Sequence, residues 1–400
     1  MALTPLNDAL RQMLDLVNPL RDSERLLLEH LHGRILASDI YAPANVPQMD
    51  NSAMDGYAVR MLELTEGAVL PVSQRIAAGD VPAPLQQGTA ARIFTGAPIP
   101  EGAEAVVMQE NTRRVEGGLV IDKRPQFGEN IRRAGHDIAA GEGVLGRGSK
   151  LRAQDIGLLA SMGMHSADVM RIPRVALMST GDELAQPGQP LKDGQIYNTN
   201  SYTLGALLRA WGCEVVDFGN VPDSLPVVEQ ALADAAEQCD FIITTGGVSV
   251  GEEDHVKAAV TSQGNLSMWK IAIKPGKPVA FGRVNRTPFL GLPGNPSSSF
   301  VTALLVARPL LKKLAGADVE APVMLTVEAD FDVPKAGTRE EFLRVKLIQV
   351  EGQWRAVAYP NQSSGALKAA SWGNALARIP TGQTLQRGEP VEVLLYDGIC

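Results

Sequence analysis

Strands and helices alternate along residues 174–245, and this alternation limits the fold more than any other feature of the chain. RVALMST, CEVVDFG and DFIITT are apolar runs typical of buried strands, and SYTLGALLRAWG and LPVVEQALADAAEQ between them have the length and apolar spacing of helices. Strands that alternate with helices of about 10–15 residues form parallel βαβ units. The sequence therefore predicts an α/β unit on a parallel sheet, with its ligand site beyond the carboxyl ends of the strands.

The segments outside this unit predict smaller parts. Residues 1–44 are expected to be helical, with Thr4 capping a first helix and a second helix starting near Ser23. The second helix would carry Leu27, Leu31 and Ile35 on one face. Helical periodicity returns over residues 151–162, and this helix is expected to pack back on the first two as part of a discontinuous unit.

Two regions have the pattern of short strands. Residues 45–137 are interrupted by Pro and Gly and contain β-like pieces such as AEAVVMQE and LVIDKR, which predict a small β-rich domain. The last ~80 residues, from VMLTVEADF to VEVLLYDG, predict a small barrel or sandwich.

Composition excludes several classes of protein. The 400 residues are 45% apolar and 20% charged, which is typical of a soluble globular chain. The net charge of -8 argues against non-specific nucleic-acid binding, which needs a basic face, although local lysines can still hold an anionic ligand. Three scattered cysteines, without a C-x-x-C motif, indicate neither a disulfide framework nor structural zinc. No apolar run approaches the ~20 residues of a membrane span, so we expect a cytoplasmic protein without a membrane partner.

Carboxylates and glycines follow three successive predicted strands. The strand ends read STGDE, GNVPDS and TTGGVSVGEED, and their acids are Asp182, Glu183, Asp223, Glu252, Glu253 and Asp254. Glycine backbone at a strand end suits an anion, and a divalent cation such as Mg²⁺ would let carboxylates and a phosphate share the site. Gly246, Gly247 and Ser249 are therefore candidates for substrate binding. The alternative is that the acids only cap helices.

Lysines and serines follow in the next segments. WKIAIKPGKPVAFG places Lys270, Lys274 and Lys277 within eight residues, and on a single strand Lys270 and Lys274 would share a face. Such a cluster suits a tetrahedral oxyanion or phosphate, unless it is only a solvated strand face. In GLPGNPSSSF, the hydroxyls of residues 297–299 and the amides of the first helical turn predict an anion site, unless the serines only cap the helix.

Other motifs are less informative by themselves. DNSAMDGYAV and FTGAPIPEGAEAVVMQE are polar turns by their spacing alone. In NIRRAGHDI, His136 has no second ligand nearby and is more typical of a structural than of a metal-binding histidine. The P-loop and H-E-x-x-H signatures are absent from the sequence.

Taken in chain order, these motifs resemble the MoeA family. The matching segments are DNSAMDGYAV, FTGAPIPEGAEAVVMQE, NIRRAGHDI, STGDEL, TTGGVSVGEEDH, IKPGKPVAFG and GLPGNPSS. The resemblance implies an elongated homodimer of multidomain α/β-plus-β chains. Each chain would have a discontinuous helical first domain, a β-rich second domain, an α/β molybdopterin-binding domain and a C-terminal β-barrel. The corresponding domain boundaries are 1–44 with 138–170, 45–137, 171–317 and 318–400.

The resemblance also implies an activity. Members of this family are molybdopterin molybdenumtransferases, which take adenylylated molybdopterin and molybdate, insert molybdenum, and release AMP, with Mg²⁺ or another divalent cation involved. A molybdopterin adenylyltransferase would be the upstream partner. The sequence does not distinguish molybdate from tungstate, and it does not identify the divalent metal or the downstream enzymes.

The family's functional positions fall on particular residues of this chain. The implied catalytic residues are Asp55, Thr95, Asp137, Glu183, Asp223, Asp254, Lys270 and Lys274. The implied substrate-binding residues are Lys277, Pro293, Pro296, Ser298 and, in the looser match NQSSGALKAA, Ser364. The expected metal ligands are Glu183, Asp223 and Asp254, and either Arg339 or Arg344 completes the molybdate pocket. Asp55 and Thr95 are expected to complete the cleft across a dimer interface.

Two other functions compete with metal insertion. A sister α/β domain with similar TTGG-type motifs adenylylates molybdopterin, and relatives of the gephyrin type serve as scaffolds. The four-domain length and DNSAMDGYAV favour insertion over adenylylation, and the acid and lysine set argues against a purely structural role.

Overall fold

The N-terminal segment forms one helix and two short strands. In the computed structural model, which describes residues 3–247 and 255–399, these are α1 (Leu6–Asp15), β1 (Ser23–Leu27) and β2 (Ile40–Tyr41). The predicted helix from Ser23 is wrong, because β1 pairs antiparallel with residues 166–170, and this tertiary pairing overrides a helical apolar spacing. Thr4 does not cap α1 either, since Pro5 is the N-cap and Thr4 forms a bridge with Ile271.

Residues 45–137 form short strands, as the turn density predicts. The strands are β3 (Asn51–Ser52), β4 (Gly56–Val59), β5 (Val72–Ile76), β6 (Ala90–Ile93), β7 (Ala105–Met108), β8 (Thr112–Val115), β9 (Gly118–Ile121) and β10 (Ile131–Arg132). A four-stranded sheet has the order β5-β6-β4-β7, β8 and β9 form a hairpin, and β10 pairs with β3. The sheet has apolar residues on both faces, which belong to two small cores.

The chain then returns to the N-terminal segment. β11 (Gly143–Leu145), α2 (Ala153–Ser161) and β12 (Ser166–Met170) follow, and β11 pairs with β2. Residues 31–42 and 138–169 share one apolar core. Helix α1 is not part of that core, because its Ala9 and Met13 pack against the α/β sheet, a contact that the sequence did not predict.

The α/β unit contains the predicted βαβ succession. Its elements are β13 (Arg174–Thr180), β14 (Leu184–Ala185), β15 (Ile196–Tyr197), α3 (Asn200–Ala210), β16 (Glu214–Val221), α4 (Leu225–Gln238), β17 (Phe241–Thr245), α5 (His255–Gln263), β18 (Gly264–Lys270), β19 (Ile273–Lys274), β20 (Pro278–Val284), β21 (Thr287–Leu292), α6 (Pro296–Thr302) and α7 (Arg308–Leu314). The main sheet has the order β16-β13-β17-β21-β20-β18, and the first four strands are parallel. A π-helical turn over residues 303–307 joins α6 to α7.

The lysine segment differs from the expectation of one strand. β18 ends at Lys270 and belongs to the α/β sheet, whereas Lys274 lies on β19, which pairs with a strand of the C-terminal barrel. The prediction that Lys270 and Lys274 share one face of a strand is therefore wrong. The chain passes from one sheet to another between them, and side chains alternate between two faces only along a single strand.

The C-terminal residues close into a barrel. The elements are β22 (Leu325–Ala329), β23 (Glu340–Val350), β24 (Gln353–Ala358), α8 (Leu367–Trp372), β25 (Ala375–Ile379) and β26 (Pro390–Leu395). The strands follow the order β23-β24-β22-β26-β25, and β25 pairs with β23 to close the barrel. The short strand β19 also pairs with β23. Single 3-10 turns lie at Leu28–His30, Met61–Glu63, Gln109–Asn111 and Tyr396–Gly398. In the described part of the chain, no helix has the length and apolarity needed to cross a membrane.

Candidate functional site

The carboxyl ends of four parallel strands lie side by side. Thr180 at the end of β13 is level with Val221 of β16, and Thr245 at the end of β17 is level with Leu292 of β21. Ser179 links β13 to β17, where its hydroxyl is 3.0 Å from that of Thr245. The loops that carry STGDE, GNVPDS, TTGG and GLPGNP therefore start at one edge of the sheet, where α/β folds bind their ligands.

The acidic loops after β13 and β16 are in direct contact. The backbone N–H of Asp223 donates to Asp182 Oδ1 over 3.3 Å, which joins the end of β16 to the end of β13. The carboxylate of Glu183 folds back against Gly181, which has a φ of +142°. The candidates Ser249 and Asp254 lie outside the described residues, as do Glu252 and Glu253. Within the ranges that the structure describes, no three His, Cys, Asp or Glu side chains form a group that could hold a metal ion.

Glycines allow close backbone approach at the end of β17. Gly246 has a φ of +87°, and a Cβ added there would lie 2.6 Å from the carbonyl oxygen of Thr180. Gly247, also with positive φ, packs against Val256 and the hydroxyl of Thr180. That hydroxyl is buried and has no hydrogen-bond partner among the described residues. Neither glycine can be replaced without moving the strand ends.

Asparagines support the neighbouring loops, and sequence analysis missed them. Asn198 donates to Asn220 Oδ1 (2.6 Å), and Asn220 in turn donates to the carbonyl oxygen of Leu184, next to Glu183. Asn200 donates to the carbonyl oxygen of Gly294 over 2.8 Å. The segment NTN at the start of α3 is an ordinary capping signal, and only the tertiary structure shows that these side chains hold two loops of the edge.

The serine turn joins the edge to the barrel. Pro293 lies in the loop after β21, Pro296 is the first residue of α6, and Ser298 is buried in its first turn. The amides of Ser297 and Ser298 donate to the carbonyl oxygen of Ser364, over 2.9 and 3.3 Å. Two amides that the sequence assigned to an anion are thus bonded to protein. The hydroxyls of Ser297 and Ser299 are buried and have no partner in the described ranges, so they remain available.

The lysine segment packs on the same helix. Lys274 Nζ lies 2.8 Å from Glu341 Oε1 of the barrel, and Gly276, with a φ of +114°, packs against the Thr302 hydroxyl of α6. Lys277 is exposed, and its carbonyl oxygen accepts a hydrogen bond from the amide of Ile271. Lys270 is half-buried at the end of β18, and its carbonyl oxygen accepts from the Thr4 amide.

Both candidate arginines contact segments of the site. Arg339 donates to the carbonyl oxygen of Ile273, next to Lys274, over 3.1 Å. Arg344 is fully buried and donates to the carbonyl oxygens of Phe342 and Ser363. Burial lowers the pKa of Arg344 from its usual value, and its Nε has no hydrogen-bond partner among the described residues. Arg344 thus supports the loop that presents Ser364.

A second group of candidates lies in the β-rich segment. Asp55 Oδ1 accepts hydrogen bonds from the amide and the hydroxyl of Thr95, both over 2.8 Å. These two bonds, with the charge of Arg92, lower the pKa of Asp55. The structure thus brings together two residues that are 40 positions apart in the sequence. Asp137 lies elsewhere in this segment, where its amide donates to Val46.

Three family models cover most of the chain. Residues 4–163 match the MoeA N-terminal region (domain I and II). Residues 176–313 match a model described as "Probable molybdopterin binding domain". Residues 326–396 match the MoeA C-terminal region (domain IV).

Curated proteins and a solved structure are similar over nearly the whole length. A molybdopterin molybdenumtransferase of Haemophilus influenzae is 43% identical over 345 residues, which are 85% of each chain. One from a Nostoc species is 38% identical over 388 residues, or 94% of this chain and 89% of that protein. A crystal structure of a molybdopterin biosynthesis MoeA protein from Pyrococcus horikoshii has a TM-score of 0.85 at 31% identity and covers 99% of this chain and 100% of its own.

Proposed function

Because this chain belongs to the MoeA family, we propose that it is a molybdopterin molybdenumtransferase, which inserts molybdenum from molybdate into adenylylated molybdopterin and releases AMP. The observation that carries the proposal is the shared edge of the sheet. Glycine backbone, carboxylates and the serine turn converge there, and a hydrogen bond to Ser364 joins this edge to the barrel. This combination suits a substrate with several phosphate oxygens and a separate oxyanion.

We propose that molybdate binds between the lysine segment and the serine turn. Molybdate is a tetrahedral dianion, and ammonium groups act on it as point charges without a planar geometry. The ammonium group of Lys277 is exposed to solvent, whereas that of Lys274 is paired with Glu341. Ser298 supplies a hydroxyl from α6, as do Ser297 and Ser299, whose hydroxyls have no partner among the described residues. Arg344 supports this corner through the loop of Ser364.

The phosphoanhydride of the substrate is proposed to lie across the glycine and carboxylate loops. In the proposed step, an oxygen of water forms a new bond to the phosphorus on the molybdopterin side as the bridging P–O bond breaks, and AMP departs. Negative charge develops on the departing phosphate of AMP, and the lysine ammonium groups stabilise that charge. Gly246 and Gly247 allow the backbone to approach the phosphates.

A divalent cation fits the chemistry of the acids in part. Glu183 and Asp223 are carboxylates from adjacent loops, which is the ligand type that Mg²⁺ prefers, and the third expected ligand, Asp254, lies outside the described residues. We propose these three residues as ligands. When bound, the cation would neutralise phosphate charge beside the acids.

We propose that a homodimer completes the site. Asp55 and Thr95 belong to the β-rich segment, and their mutual hydrogen bonds fix an ionised carboxylate at its surface. In this proposal, that surface of one copy closes the cleft of a second copy. Adenylylated molybdopterin would be supplied by a molybdopterin adenylyltransferase, and the reaction would take place in the cytoplasm.

The proposal is tested with the purified full chain, adenylylated molybdopterin, molybdate and Mg²⁺. We expect AMP release that increases with molybdate, and a Lys274→Gln variant that loses most of it. Lys335→Gln removes an exposed charge of the same sign from the barrel and serves as the matched control. Consumption of ATP with no molybdate-dependent AMP release would indicate adenylylation instead. Absence of both activities in the folded protein would point to a scaffold.

A further inference from the structure

Two arginines lie side by side on the four-stranded sheet of the β-rich segment. Arg92 of β6 is level with Tyr57 of β4 on one side and with Arg75 of β5 on the other. Residues that are level on neighbouring strands point to the same face. Their neighbours Ile76 and Ile93 point to the opposite face, where they are buried. The arginine face is thus set by the register of three strands.

Phe94 holds both guanidinium groups. The guanidinium carbons of Arg75 and Arg92 each lie 4.6 Å from the centre of the Phe94 ring, and that of Arg92 also lies 5.1 Å from the Tyr57 ring. Arg92 is further fixed by donating to the carbonyl oxygen of Gly56 and to Gln109 Oε1. A guanidinium that stacks on a ring keeps the N–H groups of its edge available for an oxyanion.

The arrangement leaves positive charge without an ion-pair partner. Like charges level on neighbouring strands destabilise a sheet. Three of the six other arginines of this segment are in ion pairs: Arg60 with Glu63, Arg113 with Asp122 and Arg133 with Asp50. Among the residues that the structure describes, Arg75 and Arg92 have no such pair. Arg75 is exposed, so its edge is accessible.

The two arginines adjoin the candidate pair of this segment. Phe94 precedes Thr95, which binds the Asp55 carboxylate. Arg92 is close enough to Asp55 to affect its ionisation. We propose that Arg75 and Arg92 bind phosphate oxygens of the adenylylated substrate and so contribute to its recognition from the β-rich segment. This inference rests on the proposed function and adds two substrate-binding residues to it.

Arg75→Gln is the primary test, because Arg75 makes no hydrogen bond to any residue that the structure describes. Lys123→Gln removes an exposed charge from the same segment and is the control. We expect Arg75→Gln to raise the KM for adenylylated molybdopterin about tenfold, with kcat little changed and Tm unchanged. Arg75→Lys keeps the positive charge but lacks the planar guanidinium, so its KM should lie between those of the wild type and Arg75→Gln.

A second measurement separates this inference from the proposed function. Calorimetric titration of AMP into the full chain should give about tenfold weaker binding for Arg75→Gln than for Lys123→Gln. If molybdate-dependent AMP release is normal and both variants have the same KM and AMP affinity, the inference is overturned while the function stands. If the wild-type chain shows no such release, the function fails. Even in that case, weaker AMP binding by Arg75→Gln than by Lys123→Gln would support a phosphate site at Arg75.

Discussion

The backbone amide of Ser297 at the start of α6 donates a 2.9 Å hydrogen bond to the carbonyl oxygen of Ser364 in the barrel. This bond joins the α/β edge to a loop more than 60 residues further along the chain. The loop is itself held by Gln362 and Arg344. Correct placement of the serine turn therefore depends on side chains that need not touch a substrate.

Gln362→Ala should loosen this loop. The side chain accepts from the Arg344 amide (3.0 Å) and donates to the carbonyl oxygens of Arg344 and Tyr359, both over 2.9 Å. Losing these bonds should cost about 2 kcal/mol in the free energy of unfolding and lower AMP release about tenfold. Urea unfolding and turnover measure the two effects. Gln383→Ala, at an exposed barrel position, should change neither, and equal turnover in both variants would remove the role of the loop.

Mixing two inactive variants should restore activity if the site is shared between copies. Asp55→Asn and Lys274→Gln change different segments, so a mixed dimer would contain one site with both native residues. We expect each variant alone to lose most AMP release, and an equimolar, re-equilibrated mixture to regain about a quarter of wild-type activity. A mixture that stays inactive, with subunit exchange verified by mass spectrometry, would place both residues in one copy's site.

Gly246→Ala should be more damaging than its positive φ alone explains. The added Cβ would meet the carbonyl oxygen of Thr180 at 2.6 Å, whereas Gly382 has a similar φ of +78° and open space around it. We expect Gly382→Ala to cost about 1 kcal/mol and Gly246→Ala about 3 kcal/mol of unfolding free energy. Chemical denaturation gives both values. Equal costs would show that the end of β17 moves freely away from β13.

Stability in acid should depend on Asp240. Burial acts to raise the pKa of Asp240, but hydrogen bonds from the Arg171 guanidinium (2.8 and 2.9 Å) and the Arg174 amide outweigh it, so the pKa lies below its usual value. A carboxyl with a lowered folded pKa stabilises the protein above its unfolded pKa of about 4, and this stabilisation is lost as pH falls through the folded pKa.

Asp240→Asn should therefore destabilise the protein by about 2 kcal/mol at neutral pH. The difference from wild type should shrink below pH of about 4. Thermal unfolding from pH 7 downward measures it. A difference that stays constant through the acid range would contradict the assignment.

Removal of divalent metal should stop the reaction. With EDTA we expect AMP release to fall at least about tenfold and to recover on addition of Mg²⁺. Asp223→Asn should raise the Mg²⁺ concentration needed for half-maximal activity, whereas Asp193→Asn, on an exposed turn, should not. The same Mg²⁺ dependence in both variants would exclude Asp223 as a ligand.

Local periodicity predicted the helices and strands of the α/β unit well. Predictions failed where a segment's structure depends on pairing with a distant strand. Helix α4 covers the same residues as the predicted LPVVEQALADAAEQ, because its apolar spacing and the proline in its first turn are local signals. The segment from Ser23 was wrong, because its structure comes from a partner strand more than 140 residues away. The change of sheet between Lys270 and Lys274 also depends on a distant strand, which periodicity does not report.

The position of candidate residues at the edge of the sheet was predictable where they directly follow a strand, as Glu183 and Gly246 do. Asp55 and Thr95 were recognised only by resemblance, since 40 residues separate the two halves of the pair. Ser364 contacts α6 through its backbone carbonyl oxygen, a group that every residue has. Its side chain therefore gives no signal of this contact in the sequence.

Strand β19 has a mechanical consequence. Lys274 is continuous in sequence with the α/β unit, yet its strand is bonded to the barrel, and its ammonium group is paired with a barrel carboxylate. A rotation of the barrel would therefore carry this charge toward or away from the serine turn. Any ligand that draws Lys274 inward would also select one barrel orientation, so binding of that ligand and the angle between the α/β unit and the barrel would be thermodynamically linked.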